Sequence, residues 1–454
     1  MRVVTFSIAM LAALSGCNAL LGNEEGELVV SSGGAGGGAT GGAAGRGTGG
    51  TGGGGTGGAA TGGGGTGGAG TGGGGSGGGG TGGSATGGAG GAGACAVELD
   101  LGDHHACARK GDGTLWCWGM NNYGQIGDGG TADKKAPAQV QALGTAVAEL
   151  ATGGYHTCAR KGDGSAWCWG LNDFGQLGDG TSVKKTAPAA VKDLGAVANL
   201  TAGTMHSCAR KADGTAWCWG LNDAGQIGDG TLVNKPTPVQ VKALGTVAQL
   251  AAGGAHTCAR KTDATLWCWG NNDHGQIGPG GGSLSSGPVE LTALGTETAE
   301  VTAGAAHTCV RKTNGTVWCW GDNAFGQLGD GSSTASAAPV PVTALGASVV
   351  EVSAGASHTC ARKQDGTLWC WGDNNFGQLG DGTYDKKTSP AQVTSLGTTV
   401  AEAEPGYGTS CARKADGTVW CWGLSSALGD GTPGSEVCGS QKCTPAPVKT
   451  LLCP

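Results

Sequence analysis

The sequence is poor in the features that mark helical, membrane-spanning or nucleic-acid-binding proteins. Only 13% of its 454 residues are charged, and the formal net charge of −7 gives no support for nucleic-acid binding. Its long apolar run, residues 3–14, is too short to span a membrane. No segment keeps the apolar period of a helix, so a fold built on helices is excluded.

Signatures of catalysis and of metal binding are also missing. The chain has no nucleophile elbow and no Walker loop, and with 99 glycines its Gly-x-Gly patterns carry no information about dinucleotide binding. It has no Cys-x-x-Cys pair, and its histidines recur singly, which argues against a zinc site. We therefore expect no catalytic residues, no metal and no cofactor.

Tryptophan and cysteine are instead concentrated in one hairpin that occurs seven times. All 14 tryptophans flank the second cysteine of these units, and successive hairpins begin 50 or 51 residues apart. In the hairpin 208–220, Lys-Ala-Asp-Gly-Thr is typical of a three-residue turn closed by a glycine. If Lys211 faces Thr215, Cys208 lies opposite Cys218 at a non-hydrogen-bonded position, where a disulfide forms with little distortion.

Successive side chains of a strand point to opposite faces of the sheet. Cys218 therefore points to one face, and Trp217 and Trp219 point to the other. Each unit is predicted to carry a disulfide on one face and an aromatic surface on the other.

Eighteen cysteines remain when Cys17 is set aside, an even number that indicates a disulfide framework in an exported protein. When unit seven is aligned on unit one, Cys453 and Cys95 occupy consecutive positions, so a disulfide between them would replace the missing peptide bond of a closed ring. Cys438 and Cys443 lie in an insertion of unit seven. Four extra cysteines allow three connectivities, and the predicted set is Cys107–Cys117, Cys158–Cys168, Cys208–Cys218, Cys258–Cys268, Cys309–Cys319, Cys360–Cys370, Cys411–Cys421, Cys95–Cys453 and Cys438–Cys443.

Each unit contains four short strands separated by glycine-rich turns, which is the content of one propeller blade. The units also resemble the regulator of chromosome condensation repeat family, and the resemblance covers residues 96–454. The matching elements are Gly-x-x-His at Gly153–His156, Asp-Gly-Thr-x-Trp (here with Ser) at Asp163–Trp167, Trp-Gly-x-Asn at Trp169–Asn172 and Gly-Gln-Leu-Gly at Gly175–Gly178. This resemblance implies an all-β fold, a seven-bladed β-propeller of four-stranded blades over residues 95–454.

Two units depart from this pattern. Unit seven has Thr409 in place of the recurring histidine and loses the Asn-x-x-Gly-Gln element over residues 424–428. Unit four has Pro279 in place of an aspartate. We expect these two blades to be the least regular.

The N-terminal residues are typical of an exported lipoprotein. Residues 1–16 have a basic start, an apolar run and small residues before Cys17, and Leu-Ser-Gly-Cys resembles a lipobox, which implies that Cys17 is acylated. The alternative is an ordinary secretory signal with an unpaired cysteine. Asn18 favours the outer membrane over the inner one. Residues 17–94 contain the lipidated N-terminus and a glycine-rich segment that we expect to be a disordered tether.

Two recurring sets of polar residues have competing interpretations. One histidine recurs in six units and is interpreted as hydrogen-bonding to backbone groups of its own blade. The alternative is a ring of metal ligands or proton carriers, formed by the histidines at 105, 156, 206, 256, 307 and 358. The arginine–lysine pairs are interpreted as solvated turn residues neutralised by the aspartate of each turn. The alternative is a positive rim that binds polyanions.

The segments that vary between units predict where a ligand binds, since a rigid scaffold with variable loops is a common way to build a binding site. The candidate ligand-binding residues in them are Lys134, Lys135, Lys184, Lys185, Asn234, Lys235, Tyr384, Lys386, Lys387 and Glu436. We expect a monomeric, non-enzymatic binding protein on the cell surface or in the periplasm, anchored by lipid, with a protein or glycan ligand and no nucleic acid. The alternatives are a polysaccharide-active enzyme, sialidase-like or other, using acidic residues such as Asp133 and Glu436, and a purely structural envelope protein.

Overall fold

The computed structural model describes residues 95–432, 436–438 and 440–453. The predicted signal peptide 1–16, Cys17 and the segment 17–94 lie outside the described residues. Among the described residues, no helix is both long and apolar enough to cross a membrane.

Seven antiparallel sheets follow one another along the chain, and the first strand of each borders a central channel. Blades 1 to 3 consist of β1 (Ala96–Leu101), β2 (His105–Lys110), β3 (Leu115–Gly119) and β4 (Lys134–Gln139); β5 (Val147–Thr152), β6 (His156–Lys161), β7 (Ala166–Gly170) and β8 (Lys185–Ala190); β9 (Val197–Ala202), β10 (His206–Lys211), β11 (Ala216–Gly220) and β12 (Lys235–Gln240). Blades 4 and 5 consist of β13 (Val247–Ala252), β14 (His256–Lys261), β15 (Leu266–Asn271) and β16 (Leu284–Glu290); β17 (Thr298–Ala303), β18 (His307–Lys312), β19 (Val317–Gly321) and β20 (Ser336–Pro341).

The remaining elements complete the ring. Blades 6 and 7 consist of β21 (Val349–Ala354), β22 (His358–Lys363), β23 (Leu368–Gly372) and β24 (Lys387–Gln392); β25 (Val400–Pro405), β26 (Thr409–Lys414), β27 (Val419–Leu424), β28 (Glu436–Cys438) and β29 (Gln441–Lys449). Short 3-10 helices lie at Gln141–Leu143, Thr292–Leu294, Thr343–Leu345, Thr394–Leu396 and Ser425–Ala427. Because β1 contacts β25 and β26, the seven blades close into the predicted β-propeller.

The hairpin register is the one that the turn residues predict. The N–H of Lys211 donates to the carbonyl of Thr215 at 2.9 Å, and Gly214 takes a φ of +81°, which the turn requires. Cys208 therefore faces Cys218 with 4.1 Å between their Cα atoms. The disulfides of the structure are the pairs named above, and Cys95–Cys453 joins the two ends of the ring, with a Cα–Cα distance of 5.6 Å.

The two faces of each blade pack against different neighbours. The disulfide Cys158–Cys168 of blade 2 lies in one apolar cluster with Leu200 and Trp219 of blade 3. Trp219 is fully buried, and its Nε1 atom donates to the carbonyl of Gln176 in blade 2 at 2.9 Å. The disulfide face of one blade thus meets the tryptophan face of the next, and this contact recurs at every junction, including that of blade 7 with Trp118 of blade 1.

Blade 7 differs from the predicted four strands. The insertion before β29 folds back as β28, so the sheet has five strands, in the order β25-β26-β27-β29-β28. In blade 4 the proline removes an aspartate acceptor, and the Asn272 side-chain amide donates instead to the carbonyls of Gly278 and Gly282. Blade 4 keeps four strands.

Candidate functional site

The turns and loops divide between two faces of the ring. Because the strands of each blade alternate in direction, the connections from first to second strand and from third to fourth strand lie on one side, here called the loop face. The hairpins and the segments between blades lie on the other side, here called the hairpin face. All the variable segments that predict a ligand site belong to the loop face.

Four of the candidate lysines form ion pairs within their own loops. Lys134 pairs with Asp128 at 2.7 Å, and the same pairing recurs in three other blades. The equivalent pairs are Lys185–Asp179, Lys235–Asp229 and Lys387–Asp381. These lysines neutralise the aspartate of each loop and are spread around the ring, so the structure does not bring them together.

The other candidates are spread over blades 1, 2, 3, 6 and 7. Lys184 Nζ donates to Asn122 O at 3.5 Å, Lys386 Nζ donates to Ala324 O at 3.2 Å, and Asn234 Oδ1 accepts the N–H of Asn222 at 2.9 Å. The hydroxyl of Tyr384 in blade 6 donates to Glu436 in blade 7 at 2.6 Å, so these two candidates do meet. The exposed Lys135 has no side-chain partner among the described residues. Ligand binding by these ten residues stays a prediction.

A different set of loop-face residues does come together, and the sequence reasoning above missed it. His104, Tyr123, Tyr155 and Tyr407, here called the tyrosine arc, belong to blades 1, 2 and 7. The ring of His104 lies 5.8 Å from that of Tyr155 and 5.4 Å from that of Tyr407, and Tyr123 meets Tyr155 edge-on at 5.5 Å. Tyr407 keeps 47% of its surface exposed, so the arc presents aromatic surface to solvent.

A sequence signal for the arc existed. Every tyrosine and phenylalanine among residues 95–432, 436–438 and 440–453 lies in a loop-face connection, whereas the tryptophans lie in strands. The equivalent positions next to the recurring histidine in blades 4 and 5 carry alanine and glycine. The ring is therefore asymmetric in its loop-face aromatic residues.

Asp103 lies at the mouth of the central channel beside the arc. It lines a cavity of about 70 Å³, together with glycines and alanines of the other blades. Its carboxylate has no hydrogen-bond partner among the described residues, and burial raises its pKa to about 6. Its negative charge contributes to the raised pKa of Tyr155, about 12, of which burial is the main cause. The arc therefore surrounds an uncompensated acidic group.

The recurring histidines are bound differently from the prediction. Each Nε2 atom contacts a hydroxyl of the following blade, not a backbone group of its own blade, as His256 does with Thr308 at 2.9 Å. The pKa of His256 falls to about 3 because burial disfavours the charged form. These imidazoles stay neutral near pH 7, and the described residues hold no group of three His, Cys, Asp or Glu side chains arranged to bind a metal ion.

In the arginine–lysine pairs, the arginines have a different partner from the predicted turn aspartate. Arg109 Nε donates to Glu98 of β1 at 2.6 Å, not to the aspartate of the turn, and four other blades repeat this pair. Lys110 lies over Trp116 with its Nζ atom 4.4 Å from the ring centre, a contact repeated in all blades. The turn aspartate Asp112 accepts from Thr114 instead. Among the described turns, Lys261 forms a direct ion pair with its turn aspartate, Asp263, and in other turns hydrogen bonds and also the lysine charge lower the pKa of the aspartate, as Thr114 and Lys110 do for Asp112.

The chain matches models of one protein family over most of the ring. A model described as the RCC1-like domain matches residues 188–452, and two models of the regulator of chromosome condensation (RCC1) repeat match residues 112–160 and 163–210, and residues 96–125 and 147–176.

Curated relatives match parts of the chain. The ultraviolet-B receptor UVR8 of Arabidopsis thaliana is 31% identical over 72% of this chain and 52% of its own length. The E3 ubiquitin-protein ligase HERC2 of Homo sapiens is 35% identical over 28% of this chain and 3% of its own length. The chain thus spans about half or less of the length of these relatives.

Two solved structures share the fold. Prp20p of Saccharomyces cerevisiae, described with its binding to Gsp1p and histones, gives a TM-score of 0.65 with 22% identity over 74% of this chain and 85% of that chain. Human WBSCR16 gives a TM-score of 0.65 with 19% identity over 74% of this chain and 93% of that chain.

Proposed function

The chain belongs to the regulator of chromosome condensation repeat family, and from that premise we propose that it is a non-enzymatic binding protein that holds a protein partner on its loop face. The observation that carries the proposal is the tyrosine arc around Asp103. Tyrosine supplies large, rigid contact area with a polar tip, which is why it is enriched at protein interfaces. The described part of the loop face has no comparable aromatic group elsewhere.

The charges of the arc favour a partner that presents lysine or arginine. Asp103 has no cation beside it among the described residues, and Asp373 adds a second negative charge near Tyr407. A positive side chain placed beside Asp103 gains both an ion pair and contact with aromatic faces. The binding of Gsp1p and histones by Prp20p, which has the same fold, supports a protein as the partner class.

The proposal includes export and lipid anchoring. Cys17 would carry the lipid, and residues 17–94 would hold the propeller away from the outer membrane as a monomer. A Gly-rich coil of this length spans roughly 50 Å on average. The nine disulfides of the described residues fit an oxidising compartment. Replacement of Cys17 by alanine should release the protein from membranes, and an unchanged membrane fraction would contradict the anchor.

The binding test measures which protein of an envelope fraction is retained by the oxidised full chain. The fraction comes from the cells that make the chain, and wild type is compared with three variants. Wild type and Phe325→Ala should retain the same protein saturably, whereas Tyr155→Ala and Asp103→Asn should lose it by tenfold or more in affinity. Phe325 is the matched control because it is an aromatic residue of the loop face in blade 5, outside the arc. Retention that survives both arc changes would contradict the site, and no saturable retention would favour a structural envelope protein.

The enzyme alternative is tested on the same wild-type chain. Incubation with a panel of polysaccharides should release no products from wild type. Reproducible hydrolysis that is lost in Asp133→Asn or Glu436→Gln would contradict a non-enzymatic function.

A further inference from the structure

The inner strands of five blades carry a glutamate that pairs with an arginine, and in blades 1, 2, 5 and 6 the carboxylate also accepts a backbone N–H of the next blade. In blade 1, Glu98 accepts a hydrogen bond from Arg109 Nε at 2.6 Å and another from the N–H of Leu150 in blade 2 at 3.1 Å. In blade 6, Glu351 accepts in the same way from Arg362 and from the N–H of Ala403 in blade 7. An arginine and a neighbouring backbone N–H thus form a two-donor cradle for a glutamate.

Blades 3 and 4 keep the arginine but lack the glutamate. The strand register is unchanged: Arg210 lies opposite Asn199, and Arg260 lies opposite Gln249, as Arg160 lies opposite Glu149. The Nε atoms of Arg210 and Arg260 are buried and have no hydrogen-bond partner, and neither arginine forms an ion pair with a described residue. A buried donor without an acceptor costs free energy, so each of these groups favours an added acceptor.

Blade 3 leaves both donors of the cradle without the acceptor that the other blades supply. Asn199 turns its amide to Glu149 of blade 2, so it does not reach the N–H of Leu250, which is equivalent to Leu150. Gln249 in blade 4 still accepts the N–H of Val301 at 3.1 Å, and there only the arginine is unmatched. Asn199 is also partly exposed, whereas Glu98 is 1% exposed, so solvent reaches this position in blade 3.

No described residue forms an ion pair with either arginine at this point. Arg260 lies near Arg210 and Arg311, and burial together with these two charges lowers its pKa from the usual value, against the opposing effect of Glu300. Five glutamates face seven arginines around the inner strands, and the two surplus arginines are neighbours at the junction of blades 3 and 4. An anion bound here would complete the pairing of the ring.

We propose that Arg210 and the N–H of Leu250 form a binding site for the carboxylate of a glutamate side chain from a partner protein, with Arg260 as a second positive group. A carboxylate is preferred over a tetrahedral anion because the cradle holds a planar carboxylate in the other blades, and an arginine edge matches that geometry. The site lies on the inner strands, on different residues from the tyrosine arc. It does not depend on the loop face being a binding surface.

The test uses the Arg Nε–H and backbone amide resonances of the oxidised full chain. Titration with N-acetylglutamate amide should shift the Arg210 Nε–H and Leu250 N–H signals saturably in the millimolar range, at constant ionic strength. N-acetylglutamine amide, which has the same shape without the charge, should shift them at least tenfold less. The Arg160 Nε–H signal, already paired with Glu149, should not move and serves as the internal control.

The decisive variant is Asn199→Glu, which restores the pattern of blade 1 beside blade 2. A Glu–Glu neighbour pair is already tolerated there, as Glu98 and Glu149 show. The Asn199→Glu variant should show no saturable shift of these signals, because the new glutamate carboxylate occupies the cradle. An unchanged titration in Asn199→Glu, or no saturable shift in wild type, would overturn the proposal. If that variant fails to fold, Arg210→Gln should remove the ligand-dependent shift of Leu250, and its persistence would also overturn the site.

Discussion

The Nε2 atom of His105 in blade 1 lies 2.8 Å from the hydroxyl oxygen of Thr157 in blade 2. That hydroxyl donates its single hydrogen to the carbonyl of Gln125 at 2.8 Å, so it accepts from His105, which must carry its proton on Nε2. The Nδ1 atom is buried without a partner. One histidine thus links each of blades 1 to 6 to the following blade through a hydroxyl group.

The junction of blades 7 and 1 lacks both members of this link. Thr409 stands where the histidine would be, and Ala106 stands where the hydroxyl would be. Trp118 still donates to the carbonyl of Ala427 at 2.9 Å, and the disulfide Cys95–Cys453 crosses the same junction. Covalent closure therefore accompanies the loss of a hydrogen-bonded bridge.

The first prediction concerns the hydroxyl of Thr308. Thr308→Val keeps the shape of the side chain but leaves His256 Nε2–H without an acceptor, and the expected loss is about 1–3 kcal/mol of unfolding free energy. Denaturant unfolding of the oxidised protein measures it. Thr343→Val, on an exposed 3-10 helix, is the matched control and should change stability by less than about 0.5 kcal/mol. Equal effects of the two changes would contradict the bridge.

The second prediction concerns pH. The folded pKa of His256, about 3, lies below its unfolded value, so the unfolded chain binds one more proton between about pH 6 and pH 4. Stability should therefore fall as pH decreases through that window. His256→Gln keeps a donor but does not titrate. The slope of its unfolding free energy against pH should therefore be smaller near pH 5, by the equivalent of about one bound proton. Parallel stability–pH curves for the two proteins would contradict this assignment.

The repeat made the covalent framework predictable. A constant spacing of ten between paired cysteines, with turn residues between them, determines the register of Cys208 and Cys218 without any other information. The Cys95–Cys453 pair followed from aligning the last unit on the first. Periodicity fixes these features because each one depends on position within a unit.

The same periodicity does not show which contacts lie within a blade and which lie between blades. His256 has an equivalent neighbour in its own unit and in the next, and only packing of the tryptophan face on the disulfide face decides that it bonds to Thr308. The tyrosine arc was hidden for another reason. Tyr155 and Tyr407 lie in different units and both contact His104, and Tyr407 reaches it because blade 7 closes on blade 1.

The third prediction concerns ring closure. The Cys95–Cys453 disulfide closes a loop with a sequence separation of 358, against 10 for a hairpin pair. The chain-entropy account gives about 6 kcal/mol for the long loop and about 3 kcal/mol or less for the short one. The double change to serine at Cys95 and Cys453 should thus cost more stability than the same change at Cys208 and Cys218. In the Cys95/Cys453 variant, amide hydrogen exchange should accelerate first in β1 and β25. Uniform acceleration over all blades would contradict a weakened junction of blades 7 and 1.

The fourth prediction concerns Asp103, whose charge we assign to binding. Its folded pKa, about 6, lies above its unfolded value, so the folded state binds the extra proton below pH 6 and its ionised form destabilises the fold above pH 6. Asp103→Asn should therefore raise the unfolding free energy at pH 7.5, by at most about 3 kcal/mol, and the gain should shrink as pH falls towards 4. Asp112→Asn is the control, because the pKa of Asp112 is lowered by hydrogen bonds from Thr114, and this change should destabilise. A carboxylate that holds the fold together would behave like Asp112. A loss of stability in Asp103→Asn at pH 7.5 would thus assign Asp103 to structure instead of to binding.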